Sequence, residues 1–106
     1  MSSLPFDPTF DHTISRDEAT GLIQAFRSTA APGTHLSSAF NRSAFEKLLA
    51  QPGAAGIRIH QAQESDGSPT MVMVAVDSKG ADMNAPTNLC MQNSSNCPPY
   101  CPQPWA

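Results

Sequence analysis

The stretch that decides the fold is AAGIRIHQAQESDGSPTMVMVAVD, residues 54–77. Apolar residues, many of them β-branched, alternate through both of its ends, and Asp-Gly and Ser-Pro stand between these ends. Two alternating runs joined by a short turn-forming segment are typical of an antiparallel β-hairpin. We therefore predict that residues 54–77 form a hairpin at the centre of a sheet.

The two strands of this hairpin differ in polarity. In the first strand, IRIH at 57–60, polar residues alternate with isoleucine, which predicts one face in water and one face in the core. In the second strand every residue from 71 to 76 is apolar. Such a strand is either covered on both faces or has a face that awaits a partner.

A first helix is predicted to begin at Ser15. Ser15 and Glu18 have the spacing of a capping box, in which the serine hydroxyl accepts a hydrogen bond from the third helical N–H. Pro32 cannot continue a helix, so the helix ends before it. Apolar residues between these limits recur at helical spacing and predict the buried face: Ala19, Leu22, Ile23 and Phe26.

A second helix is predicted after Asn41, a favourable N-cap residue, with a competing start at Ser43. The Gln-Pro-Gly sequence at 51–53 ends it. Weak alternation at 35–40 predicts a short edge strand, and residues 87–91 are predicted to return as a further strand.

The predicted fold class is therefore α+β: two amphipathic helices packed on a three- to four-stranded antiparallel sheet with a central β-hairpin. A chain of 106 residues has room for one small domain. We divide it into an irregular N-terminal segment at 1–13, a single α+β domain at 14–92 and a Pro/Cys-rich tail at 93–106.

Composition argues against several classes of partner. Charged residues make up 14% of the chain, the formal net charge is -3, and there is no basic run of the kind that neutralises phosphates, so nucleic-acid binding is not predicted. No segment approaches the ~20 apolar residues of a membrane-spanning helix. The N-terminus has neither a basic start nor an apolar run, so we predict a cytoplasmic protein.

The three cysteines, Cys90, Cys97 and Cys101, are all near the C-terminus and allow three interpretations. A polyproline II conformation would place Cys97 and Cys101 about 12 Å apart, too far for a disulfide, so a bridge requires a turn at 99–100. With a histidine, the three thiols could complete a site for zinc or another thiophilic metal, but their spacing matches no standard zinc motif. Free thiols in a docked or disordered tail are the favoured interpretation.

Other polar residues suggest weaker sites. His60 beside Arg58 is predicted to be a surface residue, with an anion-binding pair as the alternative. Acidic and amide side chains around Gly80 superficially resemble a calcium loop, but Lys79 occupies a ligand position, so a turn is favoured. No nucleophile, phosphate-loop or paired-carboxylate motif points to an enzyme.

Two pairs of residues are predicted to bind a partner. Tyr100 and Trp105 are aromatic anchors in the tail, and Met71 and Met73 offer an adaptable apolar surface. Gap-filling in the core is the ordinary role of such methionines and is favoured for them.

Three patterns together resemble a family of small uncharacterised bacterial proteins. They are FExLLxQPGxxGIRI at 45–59, MVMVAVDxxGxD at 71–82, and the Cys-Pro-Pro-x-Cys tail at 97–101. The resemblance implies a bacterial, cytoplasmic, single-domain protein in which the Cys-Pro-Pro-x-Cys tail is part of the family pattern. It brings no activity, cofactor or catalytic residue.

The functional prediction follows from the apolar strand and the tail. We expect a non-enzymatic module for protein–protein interaction or self-assembly, whose partner is a protein or a second copy of the chain. The alternative is a thiol-based metal-binding or redox-responsive protein that uses Cys90, Cys97 and Cys101.

Overall fold

A computed structural model describes residues 4–102, which group into two compact units. The first unit contains residues 4–10 and 40–94, and the second contains residues 11–39 and 95–102. The elements in chain order are α1 (Arg16–Arg27), β1 (Ser37–Ala39), α2 (Arg42–Leu49), β2 (Gly56–Gln63), β3 (Pro69–Val76), β4 (Cys90–Met91) and β5 (Ser95–Cys97). This is an α+β fold, as predicted.

The predicted hairpin is confirmed as β2 and β3, which pair antiparallel with Gly56 opposite Val76. At its closed end the Glu64 N–H donates to the Ser68 carbonyl, at 2.8 Å. Gly67 has a φ of 90°, a conformation that glycine adopts without steric cost. A three-residue loop with glycine in this left-handed position is a standard hairpin connection.

β3 is the central strand of the first unit. β4 pairs with its other edge, so the sheet has the order β2-β3-β4. The predicted returning strand is therefore present, although it contains only Cys90 and Met91. Most of β3 is buried on both faces, which is the first of the two possibilities that its uniform apolar sequence allowed.

Helix α2 covers one face of this sheet. Asn41 caps it, because the Asn41 side chain accepts a hydrogen bond from the Ala44 N–H at 3.1 Å. Leu48 of α2 packs with Met73 and Ala75 of β3, and all three side chains are 0% exposed. This contact is the hydrophobic core of the first unit.

Phe6 lies on the opposite face of the sheet. A Cβ atom built on Gly56 would lie 3.0 Å from the Phe6 ring, and one built on Gly80 would lie 2.6 Å from the Phe6 Cβ. Gly80 also has a φ of 83°. Glycine is therefore required at position 80 both by the backbone conformation and by the close approach of Phe6.

The second unit has little interior. The N-cap of α1 is confirmed, since the Glu18 N–H donates to the Ser15 hydroxyl at 3.0 Å. However, Leu22 and Phe26 of the predicted buried face are 67% and 54% exposed. The reason is that, among residues 11–39 and 95–102, the sheet of this unit consists of β1 paired with β5, three residues each, which offers too little surface to cover a helix face.

Candidate functional site

Cys97 and Cys101 form a disulfide, with their Cα atoms 4.8 Å apart. The turn that this bridge requires is present, because the Tyr100 N–H donates to the Asn96 carbonyl at 3.0 Å. The expectation of free thiols is therefore wrong for these two cysteines. Of the two conformations that the prolines allow, extended polyproline II and a tight turn, the chain adopts the turn at Pro98-Pro99-Tyr100.

Cys90 is the free cysteine and is exposed on β4, in the first unit. Disulfide sulfurs are not thiolates, and the thiolate is the form that binds zinc. Within residues 4–102, no group of three or more His, Cys, Asp or Glu side chains could hold a metal ion. The oxidised structure thus does not assemble the predicted three-cysteine metal site.

The disulfide lines a cavity of about 420 Å³ within the second unit. Ile23 and Arg27 line it from α1, where a spacing of four residues places both on one side of the helix. The rest of the described lining comes from β1 and from Leu36, Ser95, Cys97, Tyr100, Cys101 and Pro102. We call this cavity the cystine groove.

The predicted partner-binding residues differ in their exposure to solvent. Tyr100 is exposed beside the cystine groove. Trp105 lies outside the described residues. Met73 is fully buried in the core and Met71 is partly buried, which matches the core role favoured for them rather than a contact surface.

Asp82 links two residues of β2 on the sheet face opposite α2. Its two carboxylate oxygens accept hydrogen bonds from the Arg58 guanidinium and, at 2.8 Å, from His60 Nε2. The hydrogen bond from His60 has the largest effect on the pKa of Asp82 and lowers it. Burial opposes this shift, and the hydrogen bond and charge of Arg58 lower the pKa further, so that it lies below its ordinary value.

The contacts of these side chains bear on two earlier hypotheses, an anion-binding pair at Arg58 and His60 and a calcium loop around Gly80. The position where an anion would bind Arg58 and His60 is taken by the carboxylate of Asp82. Asp77, in contrast, caps its own turn by accepting from the N–H groups of Lys79 and Ala81. The carboxylates therefore do not converge on a calcium site.

The outer edge of β2 is the second candidate site. Within residues 4–102, β2 has a single strand neighbour, β3. The four consecutive residues 58–61 are all exposed. Ile59 is 55% exposed, although the alternation of the strand predicts that its isoleucines face the core.

No protein-family model, curated protein or solved structure matches this chain. The resemblance to a bacterial family thus stays a prediction. Among the helices that the structure describes, none is both long and apolar enough to cross a membrane.

Two features of these sites were missed from the sequence. The Asp82 pairing had a signal: a turn at 77–80 places Asp82 opposite Val76, and hence on the face of β2 that carries Arg58 and His60. The cystine groove had a weaker one, the four-residue spacing of Ile23 and Arg27.

Proposed function

We propose that this protein is a non-enzymatic self-association module and that its contact is the outer edge of β2, paired with β2 of a second copy. The observation that carries the proposal is an eight-residue strand with four consecutive exposed residues and, in the described part of the chain, one strand neighbour. An open strand edge presents a row of backbone donors and acceptors that another extended strand satisfies.

The hydrogen-bond phase of β2 supports this use. Glu64 bonds to Ser68, directly opposite it in the β2–β3 register. Antiparallel partners alternate between bonded and non-bonded pairs, so even-numbered residues of β2 bond to β3. The odd-numbered residues therefore direct their N–H and C=O groups outward: Ile57, Ile59, Gln61 and Gln63.

Ile59 is the natural centre of a two-fold contact. Antiparallel pairing about this residue places Ile59 opposite Ile59 of the second copy and Ile57 opposite Gln61. The exposed Ile59 side chains of the two copies then lie beside each other, and about six backbone hydrogen bonds form. A two-fold contact needs only one surface, which the chain supplies to both sides.

Charge at this edge does not oppose the contact. Natural proteins guard open edges with charged side chains. Here Arg58 and His60 are paired with Asp82 of their own chain, so their charge is compensated. In the two-fold contact Arg58 faces His60 of the other copy, with a carboxylate beside each.

The test compares two lysine substitutions by light scattering and native mass spectrometry from micromolar to millimolar concentration. Ile59→Lys places a charge at the centre of the proposed contact and is expected to give a monomer. Leu49→Lys adds the same charge at an exposed position of α2 and is expected to dimerise like the wild type. A wild type that stays monomeric, or an Ile59→Lys variant that dimerises equally well, contradicts the proposal.

Hydrogen exchange adds a test of the hydrogen-bond phase. On raising the concentration, the amides of the odd-numbered residues 57, 59, 61 and 63 are expected to gain protection. The even-numbered amides, already bonded to β3, are expected to change little. A partner captured through Tyr100 instead, with no change in β2 amides, would favour the tail as the contact.

A second candidate function is redox-responsive thiol chemistry, favoured by the Cys97–Cys101 disulfide. Thiol counting in denaturant tests it: one reactive thiol, Cys90, is expected before reduction and three after it. Elemental analysis of the reduced protein would reveal a thiolate-bound metal. Three reactive thiols in protein purified without reductant would contradict this function.

A further inference from the structure

We infer that the Cys97–Cys101 disulfide is a redox switch for the pairing of β5 with β1. While the bond is closed, β5 stays paired with β1. When small thiols reduce the bond, β5 separates from β1 and the first unit stays folded. This inference rests on the second candidate function and adds to it what the redox change controls.

Cys97 takes part in both the disulfide and the strand pairing. It is the last residue of β5, its carbonyl accepts a hydrogen bond from the Leu36 N–H at 2.7 Å, and its side chain is 3% exposed. Its bond to Cys101 closes the turn in which the Tyr100 N–H donates to the Asn96 carbonyl. A change at this sulfur therefore acts on the end of β5.

The β1–β5 pair has few other contacts to stabilise it. Each strand has three residues, and a two-stranded pair of this length is marginally stable in water. Among residues 11–39 and 95–102, Cys97 is the one buried apolar residue. The disulfide closes a five-residue loop, which in the loop-entropy relation shifts the folding equilibrium about thirtyfold. The pair is expected to open when this contribution is lost.

A small dithiol supplies both steps of the reduction. Its first thiolate forms a bond to Sγ of Cys101, the more exposed of the two residues, and breaks the Cys97–Cys101 bond. The Cys97 thiolate that leaves takes a proton. The second thiolate of the dithiol then attacks the sulfur bound to Cys101 and releases the Cys101 thiolate, which is also protonated. The protein gains two electrons and two protons, and the dithiol becomes a cyclic disulfide.

The first unit does not share this dependence on the disulfide. Its core side chains, Leu48, Met73 and Ala75, are 0% exposed, and its cysteine, Cys90, is outside the disulfide. Reduction leaves these core contacts intact. Opening is therefore expected to be confined to the second unit.

Hydrogen exchange of the full chain before and after treatment with dithiothreitol tests the switch. The amides of Leu36 and Tyr100, which bond to carbonyls of β5, are expected to exchange about thirtyfold faster in the reduced protein. Amides of β3 are expected to change by less than about twofold. Reoxidation should restore the original rates. In the Cys97→Ala/Cys101→Ala variant dithiothreitol should change none of them, which assigns the effect to this bond.

Thermodynamic linkage gives a second test that leaves both cysteines in place. If the disulfide stabilises the strand pairing, the pairing stabilises the disulfide by the same factor. Leu36→Pro removes the N–H that bonds to the Cys97 carbonyl. In a buffer of fixed dithiothreitol redox ratio, this variant is expected to shift the equilibrium toward the reduced protein about tenfold. Leu36→Ala loses the side chain but keeps that N–H, so a shift of about twofold is expected.

The outcomes separate this inference from the redox function on which it rests. A disulfide that is reduced without faster exchange at Leu36 and Tyr100, or equal shifts for the two Leu36 variants, would overturn the switch and leave redox chemistry standing. Faster exchange throughout β3 would overturn it too, because opening would then not be confined to the second unit. Three reactive thiols in protein purified without reductant would contradict both.

Discussion

The two units of this chain are stabilised in different ways. In the first unit a helix and a three-stranded sheet enclose side chains that solvent does not reach, such as Leu48 and Met73. In the second unit α1 has no buried residue. Among the described residues of this unit, Cys97 is the one whose apolar side chain is buried. The first unit is stabilised mainly by burial, and the second by hydrogen bonds and a disulfide.

This difference explains why the cavity beside the disulfide lies in the second unit. A packed core tolerates little change, because each buried methylene contributes to stability. A unit held by helix caps, a short strand pair and a disulfide leaves space beside its covalent bond, which is where the cystine groove lies.

The largest expected effect comes from the core of the first unit. Leu48→Ala should lower the free energy of unfolding by about 3 to 4 kcal/mol, since it leaves a cavity under a fully buried side chain. Ile23→Ala, a deletion of similar size at a half-buried position of α1, should cost about 1 kcal/mol. Urea unfolding of both variants measures the contrast, and equal losses would show that the second unit has a core of its own.

Gly80 offers the next largest effect. Gly80→Ala should cost about 2 to 3 kcal/mol, because the new methyl group meets Phe6 in addition to the unfavourable φ. Gly67→Ala is the matched control: its φ is similarly positive, at 90°, but a Cβ there meets only Gln63 Nε2, at an ordinary contact distance of 3.8 Å, so about 1 kcal/mol is expected.

Phe6 is the test of this explanation. In a Phe6→Ala background, Gly80→Ala should cost no more than Gly67→Ala, as thermal unfolding of the four proteins would show. If the cost of Gly80→Ala is unchanged in that background, Phe6 does not cover this face of the sheet.

Local signals explain why the hairpin and the starts of both helices were predictable. The hairpin has period-two alternation and turn residues at its tip, and the caps Ser15 and Asn41 bond to N–H groups three residues away. Each of these features depends on residues close together in the chain. The fold class and most element positions therefore follow from the sequence.

The features that were not predicted depend on contacts between residues far apart in the chain. Periodicity identifies the apolar face of α1 but does not say whether anything covers Leu22 and Phe26. The pairing of β1 with β5 joins residues about sixty positions apart, and the disulfide depends on a turn within a proline-rich stretch that also suits an extended conformation. The cystine groove is made of these long-range contacts, which is why the spacing of Ile23 and Arg27 alone does not predict it.

Removal of the disulfide should produce an effect confined to the second unit. Closing a five-residue loop stabilises by about 2 kcal/mol in the loop-entropy estimate. In the Cys97→Ala/Cys101→Ala variant, amide exchange should accelerate for Leu36, whose N–H bonds to the Cys97 carbonyl at 2.7 Å. Amides of β3 are the internal control, and their equal acceleration would mean that the two units unfold together.

Asp82 gives the smallest effect and the one that depends on pH. Asp82→Asn should cost about 1 kcal/mol at neutral pH, since it weakens the bonds from His60 and Arg58 at a site that is 30% exposed. The pKa of Asp82 is lowered in the folded protein, so its stabilisation is complete above the ordinary value of 3.8 and is lost as the pH falls through the lower folded pKa. Denaturant midpoints of the variant and the wild type should therefore converge in acid.

Glu46→Gln is the control for Asp82→Asn. It removes a pair with Arg42 whose side chains are 65% and 90% exposed, so it should have almost no effect at any pH. If the loss caused by Asp82→Asn persists unchanged in acid, packing rather than charge explains it. The compensation of charge proposed for the β2 edge would then lose its support, because that compensation requires an ionised Asp82 beside Arg58 and His60.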